Sequence, residues 1–448
     1  MPHRLLTLGS IALASAAWFI FHGIDIDPTK RPPSAFCQND LGAAMNRGGH
    51  QEEMLWRGCL IASDATTHFK RYTTALPYRR TETRSCLACH GENKPAPSFA
   101  KMWITYPKVD PATGKLLDFA RAIRKEVNAR YGAALPGLED SAITSLYLYA
   151  ATKAGQQHLT YRMTAPTLAS HTALNLLKKT ASPDCIAKFD EKGWPSGERA
   201  KFIVQGCNLV TETSRYATSL PVKPWQSSLT CQSCHRDAGD RENAGSLAHA
   251  AVLLPHMLSS LNRAIRHDDR ILMCFARSLN WLDLGLNAPE IQEIIVYSNW
   301  LAQMNKLPMG ILPEGRGMPA LQDTVGLGAS FMAGERAYNQ RCVTCHGPSG
   351  WGISGSKIPP ITGKASFNSA ATLAHREHLT GFIYYNMPPM PKGTPPVLSR
   401  QEALDIAAYL SSFSRPEDPV HTSVITQAVK RAQTNLMQYL GTVGSDIK

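Results

Sequence analysis

Three pentapeptides of the pattern Cys-x-x-Cys-His recur along the 448-residue chain, at Cys86–His90, Cys231–His235 and Cys342–His346. In this pattern the two thiols can add to the vinyl groups of a haem, and the histidine can ligate its iron. A zinc site would need two such cysteine pairs side by side, whereas these copies lie 145 and 111 residues apart. The pattern therefore predicts three covalently bound haem c groups, named haem 1 to haem 3 in chain order. The predicted attachment residues are Cys86, Cys89, Cys231, Cys234, Cys342 and Cys345, and the predicted iron ligands are His90, His235 and His346.

Four of the other cysteines form two pairs with equal spacing. Cys37 and Cys59 are 22 residues apart, and so are Cys185 and Cys207. The second cysteine of each pair follows a glycine and precedes a Tyr-x-x-x-Leu-Pro segment and a haem motif, which indicates that the first two domains are duplicates. In an oxidising compartment this spacing predicts one disulfide in each copy. Buried free thiols are the alternative.

The length of the chain suggests about three domains, one for each motif. Each domain is predicted to close with a helix, and these helices are expected to begin at Asp140, Asn287 and Ser399, the last two with capping boxes. A helix before the motif packed on a closing helix is typical of cytochrome c. The predicted fold class is therefore all-α, with three tandem cytochrome c-type domains. The predicted segments are 1–24 (signal peptide or membrane anchor), 35–170 (haem 1), 182–306 (haem 2), 307–328 (linker), 327–415 (haem 3) and 416–448 (helical tail).

The N-terminus carries His3 and Arg4 before an apolar run from Leu5 to Ile20. This pattern predicts a secretory signal peptide or a retained membrane anchor. Covalent haem and paired cysteines are expected outside the cytoplasm, so we predict a periplasmic protein, associated with the membrane if the helix is retained. The formal charge is +12, but the Lys and Arg residues are scattered, so nucleic acid is not an expected partner. The charge favours a small anion or an acidic electron-transfer partner.

The residue opposite each histidine sets the reactivity and potential of its haem. After the third motif, Met387 and Met390 lie in a proline-rich loop. A methionine thioether is a soft, neutral ligand that raises the reduction potential, as electron-transfer haems require. We predict that Met387 ligates haem 3, with Met390 as the alternative.

After the second motif, Cys274 follows His235 by 39 residues and is the one cysteine outside both the motifs and the pairs. A thiolate at this position could ligate iron and act as a nucleophile. Cys274 could equally be a small buried apolar residue, and the spacing leaves both interpretations open. Arg270 and Arg277 flank it; they would lower the pKa of the thiol and could hold an anion.

Longer motifs extend this pattern. They are Cys-His-x-Asp-Ala-Gly from Cys234, the run Arg270–Asn280, and the segments Pro359–Asn368 and Gly381–Pro388. Through them, residues 185–415 resemble the dihaem thiosulfate dehydrogenases. The residues that the resemblance implies are His235 and Cys274 as ligands of haem 2, His346 and Met387 as ligands of haem 3, and Arg270 and Ser278 in contact with substrate.

The first domain is similar to a different family. Its stretch Tyr106–Lys115 resembles part of the SoxA-type sulfur-oxidation subunit, but Arg124-Lys125-Glu126 stands where that family would carry a cysteine ligand. The sixth ligand of haem 1 is therefore open, with Lys125, His158 and Met163 as candidates.

Together, the motifs and the resemblance imply a periplasmic trihaem cytochrome that oxidises an inorganic sulfur anion at haem 2, most simply thiosulfate to tetrathionate. Electrons would leave through haem 3 to an external acceptor such as a cytochrome or a membrane oxidase. Three departures from the family stand out: the extra N-terminal haem domain, Leu254-Pro255-His256-Met257 near the site, and the tail after Pro416. Two other functions stay open: a SoxA-like S-thiosulfotransferase, and a non-enzymatic electron-transfer subunit of a membrane complex.

Overall fold

The computed structural model describes residues 35–42, 44, 49–65, 85–131, 141–165, 170–218, 229–258, 263–282, 284–311, 315, 317–321, 328–353 and 358–418. The predicted signal or anchor segment 1–24 lies outside these residues, as does all but the beginning of the predicted tail 416–448. Within the described ranges no helix combines the length and the apolar character needed to cross a bilayer.

The described chain is helical, with two short antiparallel ribbons that pair Lys108 with Leu117 and Met257 with Ala264. The first part contains α1 (Ala35–Leu41), α2 (Gly49–Ser63), α3 (Leu87–His90), α4 (Phe99–Trp103), β1 (Lys108–Val109), β2 (Leu116–Leu117), α5 (Phe119–Tyr131), α6 (Ser141–Gln156) and α7 (His171–Thr180). The second part contains α8 (Pro183–Lys192), α9 (Ala200–Thr211), α10 (Thr213–Tyr216), α11 (Cys231–Gly239), α12 (Leu247–Leu253), β3 (His256–Leu258), β4 (Arg263–Ile265), α13 (His267–Ser278) and α14 (Pro289–Met304). The third part contains α15 (Phe331–Arg341), α16 (Val343–His346), a 3₁₀ turn (Thr372–Ala374), α17 (Arg376–Asn386) and α18 (Arg400–Ser411).

One helix pair recurs in all three parts: α2 packs on α6, α9 on α14, and α15 on α18. In each pair a glycine of the first helix meets a backbone carbonyl of the second, and a tyrosine follows that carbonyl by four residues. The three sets are Gly58 with Ser145 and Tyr149, Gly206 with Glu293 and Tyr297, and Gly334 with Asp405 and Tyr409. Glycine inside a helix costs about 1 kcal/mol relative to alanine, but only glycine lets the two backbones approach this closely. The packing expected between the helix before each motif and the closing helix is thus present three times.

The two predicted disulfides are confirmed. Cys37 is bonded to Cys59, which ties α1 to α2, and Cys185 is bonded to Cys207, which ties α8 to α9. All four cysteines are fully buried, so each bond fixes a leading helix against the glycine-bearing helix of its pair.

Two capping boxes were predicted. The one at Ser399 forms, and the prediction of one at Asn287 was wrong. Ser399 and Glu402 bond to each other's backbone amides at the start of α18. At α14 the N-cap is Ala288, because Pro289 takes the first helical position. A proline suits that position, since it lacks an N–H that would need a partner. The amide oxygen of Asn287 instead accepts a hydrogen bond from Arg121, 2.9 Å away.

The first and second parts are joined through backbone carbonyls. The guanidinium of Arg199, at the start of α9, donates four hydrogen bonds of 2.6–3.2 Å to them. The acceptors are the carbonyl oxygens of Thr105, Pro107, Arg162 and Met163. In addition, the hydroxyl of Tyr161 donates to the carbonyl of Ala251 at 2.9 Å. These bonds place the first part directly against the second.

The described residues of the predicted linker, 307–328, are bonded to both neighbours. Gly310 donates to the carbonyl of Val252, and the carbonyl of Gly317 accepts from Gly245. Further along, Leu321 donates to the carbonyl of Glu377 on α17. The linker therefore packs between the second and third parts.

The recurrent helix pair makes a direct prediction for stability. In Gly206→Ala the new methyl group would overlap the carbonyl oxygen of Glu293, so we expect a loss of about 2–3 kcal/mol in the free energy of unfolding. Gly285→Ala is the matched control, because nothing lies near its Cβ position. Urea titration of the haem-loaded protein checks this, and equal stability of the two variants would contradict the packing.

Candidate functional site

The three motif histidines are held in the same way. In each, Nδ1 lies at hydrogen-bond distance from a backbone carbonyl further along the chain: His90 with Pro97 (2.9 Å), His235 with Gly245 (2.5 Å) and His346 with Pro359 (3.3 Å). When Nδ1–H donates to a carbonyl, Nε2 keeps its lone pair for a metal. All three imidazoles are thus oriented as an iron-ligating histidine must be.

The second motif lines a mainly apolar cavity of about 360 Å³. Cys231, Cys234 and His235 all contribute to its wall, and most of the remaining wall is apolar. Neither cysteine takes part in the two disulfides. Two available thiols, a histidine and an apolar enclosure are what covalent haem c requires, so these residues fit haem 2.

Helix α13 brings three of the predicted substrate and ligand residues into this cavity. Arg270, Cys274 and Ser278 are spaced four residues apart, so they share one face of the helix, and all three line the cavity. Arg277 lies outside the cavity lining, and its backbone carbonyl accepts a hydrogen bond from Asn368. Arg277 therefore does not line the cavity in which it was predicted to contact an anion. Its charge still lowers the pKa of Cys274.

The thiol of Cys274 lies in an electropositive environment. Burial alone would raise its pKa, but the guanidinium of Arg270 opposes that effect, and the guanidinium of Arg277 adds to it. The pKa of Cys274 is consequently lower than that of an ordinary cysteine. A thiolate is the form that ligates metals and attacks sulfur, so the site favours the reactive form.

Four side chains to which the sequence analysis gave no role also line this cavity, namely His249, His256, His267 and Met318. His256 belongs to the segment in which the chain departs from the family that it resembles. Burial and the charge of Arg270 lower the pKa of His256, which favours its neutral form. Met318 comes from the linker. Met318 was missed because it lies far from the second motif in the sequence.

The third motif lines a second cavity of about 100 Å³. Cys342, Cys345, His346 and Met387 all contribute to its wall. Met390 lies outside this wall, is 40% exposed, and accepts a hydrogen bond from Arg241 through its carbonyl. This arrangement supports Met387 rather than Met390 as the ligand of haem 3.

The two cavities share part of their walls. The residues that line both are Leu229, Cys234, Phe367 and Leu373. One of the shared residues is a haem-attachment cysteine of the second motif. The cavities of the second and third motifs therefore adjoin, and residues from both parts of the chain line them.

The candidate ligands of haem 1 lie in different surroundings. Lys125 is largely exposed and forms an ion pair with Asp110 at 3.1 Å. His158 is exposed just beyond α6, whereas Met163 is buried at the contact with the second part. Lys125 thus pairs with a carboxylate at the surface, and the choice among the three candidates stays a prediction.

The chain is similar to known c-type cytochromes. The cytochrome c family model matches residues 331–414. Thiosulfate dehydrogenases from several bacteria are also similar to the chain. The protein from Allochromatium vinosum is 31% identical over 50% of this chain and 81% of its own length, and that from Psychrobacter arcticus is 33% identical over 51% and 67%. The protein from Thiomonas intermedia is 28% identical over 62% of this chain and 84% of its own length.

Two solved structures overlay on it in part. Thiosulfate dehydrogenase TsdBA from Marichromatium purpuratum has a TM-score of 0.45 and 22% identity, covering 79% of this chain and 71% of its own. SoxXA from P. pantotrophus has a TM-score of 0.35 and 13% identity, covering 56% of this chain and 74% of its own.

Fold, motifs and family model together define a c-type cytochrome that carries covalent haem c. The sequence relatives identify the family of the chain, because two of them are at least 30% identical and are matched over two thirds or more of their length. The chain belongs to the thiosulfate dehydrogenase family of cytochrome-type oxidoreductases, as its motifs predicted.

The ligand of haem 3 can be tested by spectroscopy. A sulfur–iron bond gives ferric cytochrome c a weak far-red absorption band, which we expect to disappear in Met387→Ala, together with a lower reduction potential. Met390→Ala is the matched control and should keep both. The reverse pattern would move the ligand to Met390.

The buried His267 makes stability depend on pH. Burial lowers its pKa from 6.5 to about 4, so the folded state takes up this proton less readily than the unfolded state. Above pH 6.5 the imidazole is neutral in both states, so His267 does not make stability depend on pH there. As the pH falls from 6.5 to 4, the free energy of unfolding should decrease by about 1.4 kcal/mol per pH unit. Urea titrations at several pH values should show a shallower fall in His267→Gln. The exposed His171→Gln is the control, and equal slopes in all three proteins would contradict the prediction.

Proposed function

We propose that the protein is a periplasmic trihaem cytochrome that oxidises thiosulfate to tetrathionate at Cys274, with electrons leaving through haem 3. One observation carries the proposal: Cys274, Arg270 and His235 line one cavity, whose wall adjoins the cavity of His346 and Met387. The family supports a sulfur anion as substrate. The paired haem sites support the route of the electrons.

Three haems are proposed because the features of a haem c site occur three times. Each part has a Cys-x-x-Cys-His motif, a histidine bonded to a carbonyl, and a glycine-packed helix pair. The periplasmic location is supported by the two disulfides, since such bonds persist in oxidising compartments. A retained N-terminal anchor would add membrane association.

The chemistry begins at the sulfur of Cys274. Its thiolate forms a sulfur–sulfur bond with the sulfane sulfur of one thiosulfate, and two electrons are released without a proton. A second thiosulfate then attacks that sulfane sulfur. Tetrathionate leaves, and the thiolate of Cys274 is restored. Haem c supplies the one-electron acceptors for this oxidation when it is bound.

The positive charge of the cavity offsets the electrostatic repulsion between anions bound there. A thiolate and a doubly charged thiosulfate repel each other, and the guanidinium of Arg270 offsets this repulsion from one turn away on α13. Ser278, one turn further along, provides a hydroxyl that can donate to a sulfonate oxygen. The apolar remainder of the wall keeps water out and strengthens these interactions.

Electrons would then move towards the third part. Leu229, Cys234, Phe367 and Leu373 line both cavities, so the two sites are immediate neighbours. Cys345, the second attachment cysteine of haem 3, is exposed. An external cytochrome or oxidase could therefore approach haem 3 without reaching the substrate cavity.

Cys274→Met tests the proposal. A neutral thioether in place of the thiolate should raise the potential of haem 2, while removal of the nucleophile should lower tetrathionate formation about 100-fold or more. Leu272→Met on the same helix is the control and should keep both the activity and the potential. Steady-state assays with thiosulfate and ferricyanide give the rates, and pyridine haemochrome analysis should show three haems per chain in every variant.

Two results would argue against this function. If Cys274→Met forms tetrathionate at the wild-type rate, Cys274 is a packing residue. If the wild-type protein is inert towards thiosulfate although it carries all of its haems, an electron-transfer subunit is the better description.

A further inference from the structure

Residues 240–246 link α11 to α12, and we call the three residues Asn243-Ala244-Gly245 within this connection the shared turn. Asn243 and Gly245 adopt positive φ angles of 54° and 63°, and Ala244 between them is fully buried. Glycine adopts such angles freely and asparagine tolerates them. The turn is therefore a defined structure rather than a loose connection.

The two outer carbonyls of the shared turn bond to different haem sites. The carbonyl of Gly245 accepts from Nδ1 of His235, the proximal ligand of haem 2, at 2.5 Å. The carbonyl of Asn243 accepts from the side-chain amide of Asn386 at 2.7 Å. Asn386 ends α17 and directly precedes Met387, the proposed ligand of haem 3.

Other bonds hold the shared turn in place. The amide of Asn243 donates to the carbonyl of Gly315, and that of Gly245 to Gly317, both in the linker. Arg241, two residues before the turn, donates to the carbonyls of Met390 and Pro391 at 3.0 and 3.3 Å. The loop that contains Met387 and Met390 is thus hydrogen-bonded to Arg241 and Asn243 on both sides of Met387.

Asn386 is well suited to transmit a displacement. Its side chain is 3% exposed, so a lost hydrogen bond could not be replaced by water without opening the contact. Hydrogen-bond partners of metal ligands fix ligand orientation and tune the metal. A shift of the shared turn would therefore act on Nδ1 of His235 and on the residue beside Met387 together.

We propose that Asn386 is a positioning residue for Met387 and that the shared turn couples haem 2 to haem 3, so that the two sites have linked reduction potentials. Linkage of this kind is reciprocal. Reduction of haem 2 must shift the reduction free energy of haem 3 by the same amount as reduction of haem 3 shifts that of haem 2. Because the proposed reaction releases two electrons, uptake of the first electron would change the potential that the second one meets. The inference rests on the proposed haem positions and not on the substrate.

The coupling is tested from both ends. In Gly245→Ala a methyl group would lie 3.0 Å from the Met318 side chain and 3.3 Å from Nδ1 of His235, so the change falls on the haem 2 side. We expect it to shift the midpoint potential of haem 3 and weaken its far-red band. Asn386→Leu keeps a similar volume without adding a charge but removes the donated hydrogen bond on the haem 3 side, and it should lower the potential of haem 3 and also shift that of haem 2.

Redox titration of the full-length haem-loaded protein, followed by visible and electron paramagnetic resonance spectroscopy, gives both potentials. Asn175→Leu on the exposed face of α7 and Gly285→Ala are the matched controls and should shift neither. If Asn386→Leu changes the potential of haem 3 alone, the coupling is overturned, and this variant decides if Gly245→Ala does not fold. Thiosulfate turnover is not a readout, so failure of the proposed substrate leaves this result unaffected.

Discussion

The hydrogen bond between Nδ1 of each motif histidine and a distant carbonyl is the constraint on which the rest of the site depends. A histidine directly after the second motif cysteine could present either nitrogen, and only this bond commits Nε2 to the metal. Each motif must therefore be followed by a loop that returns a carbonyl to its histidine. Proline supplies that carbonyl at residues 97 and 359, whereas Gly245 in a left-handed conformation supplies it in the second part.

Much of the architecture could be predicted from local patterns. The disulfides followed from equal spacing, and the Ser399 cap followed from its Glu402 partner. The helix-packing glycines were also open to prediction, because Gly58 and Gly206 each stand directly before a cysteine of the repeat. The error at Asn287 arose because two start signals competed there. A proline at the first helical position prevailed over a capping asparagine.

The site itself was only partly predictable. Cys274, Arg270 and Ser278 share a helix face, so their convergence follows from the period of the helix. His256, His267 and Met318 reach the same cavity from a ribbon, from a helix start and from the linker. No local pattern encodes such meetings, because they depend on how separate elements pack. Arg277 shows the converse, since proximity in sequence suggested a contact that the orientation of the helix does not make.

The four carbonyls gathered by Arg199 bear on how this chain relates to shorter members of its family. A domain added to an existing protein usually meets it through side chains that either partner could lose. Here a guanidinium of the second part is satisfied by main-chain oxygens of the first part, and no substitution in the first part can remove a main-chain oxygen. Without the first part, the half-buried charge of Arg199 would lose all four of these acceptors. The second part therefore depends on the first for the pairing of this charge.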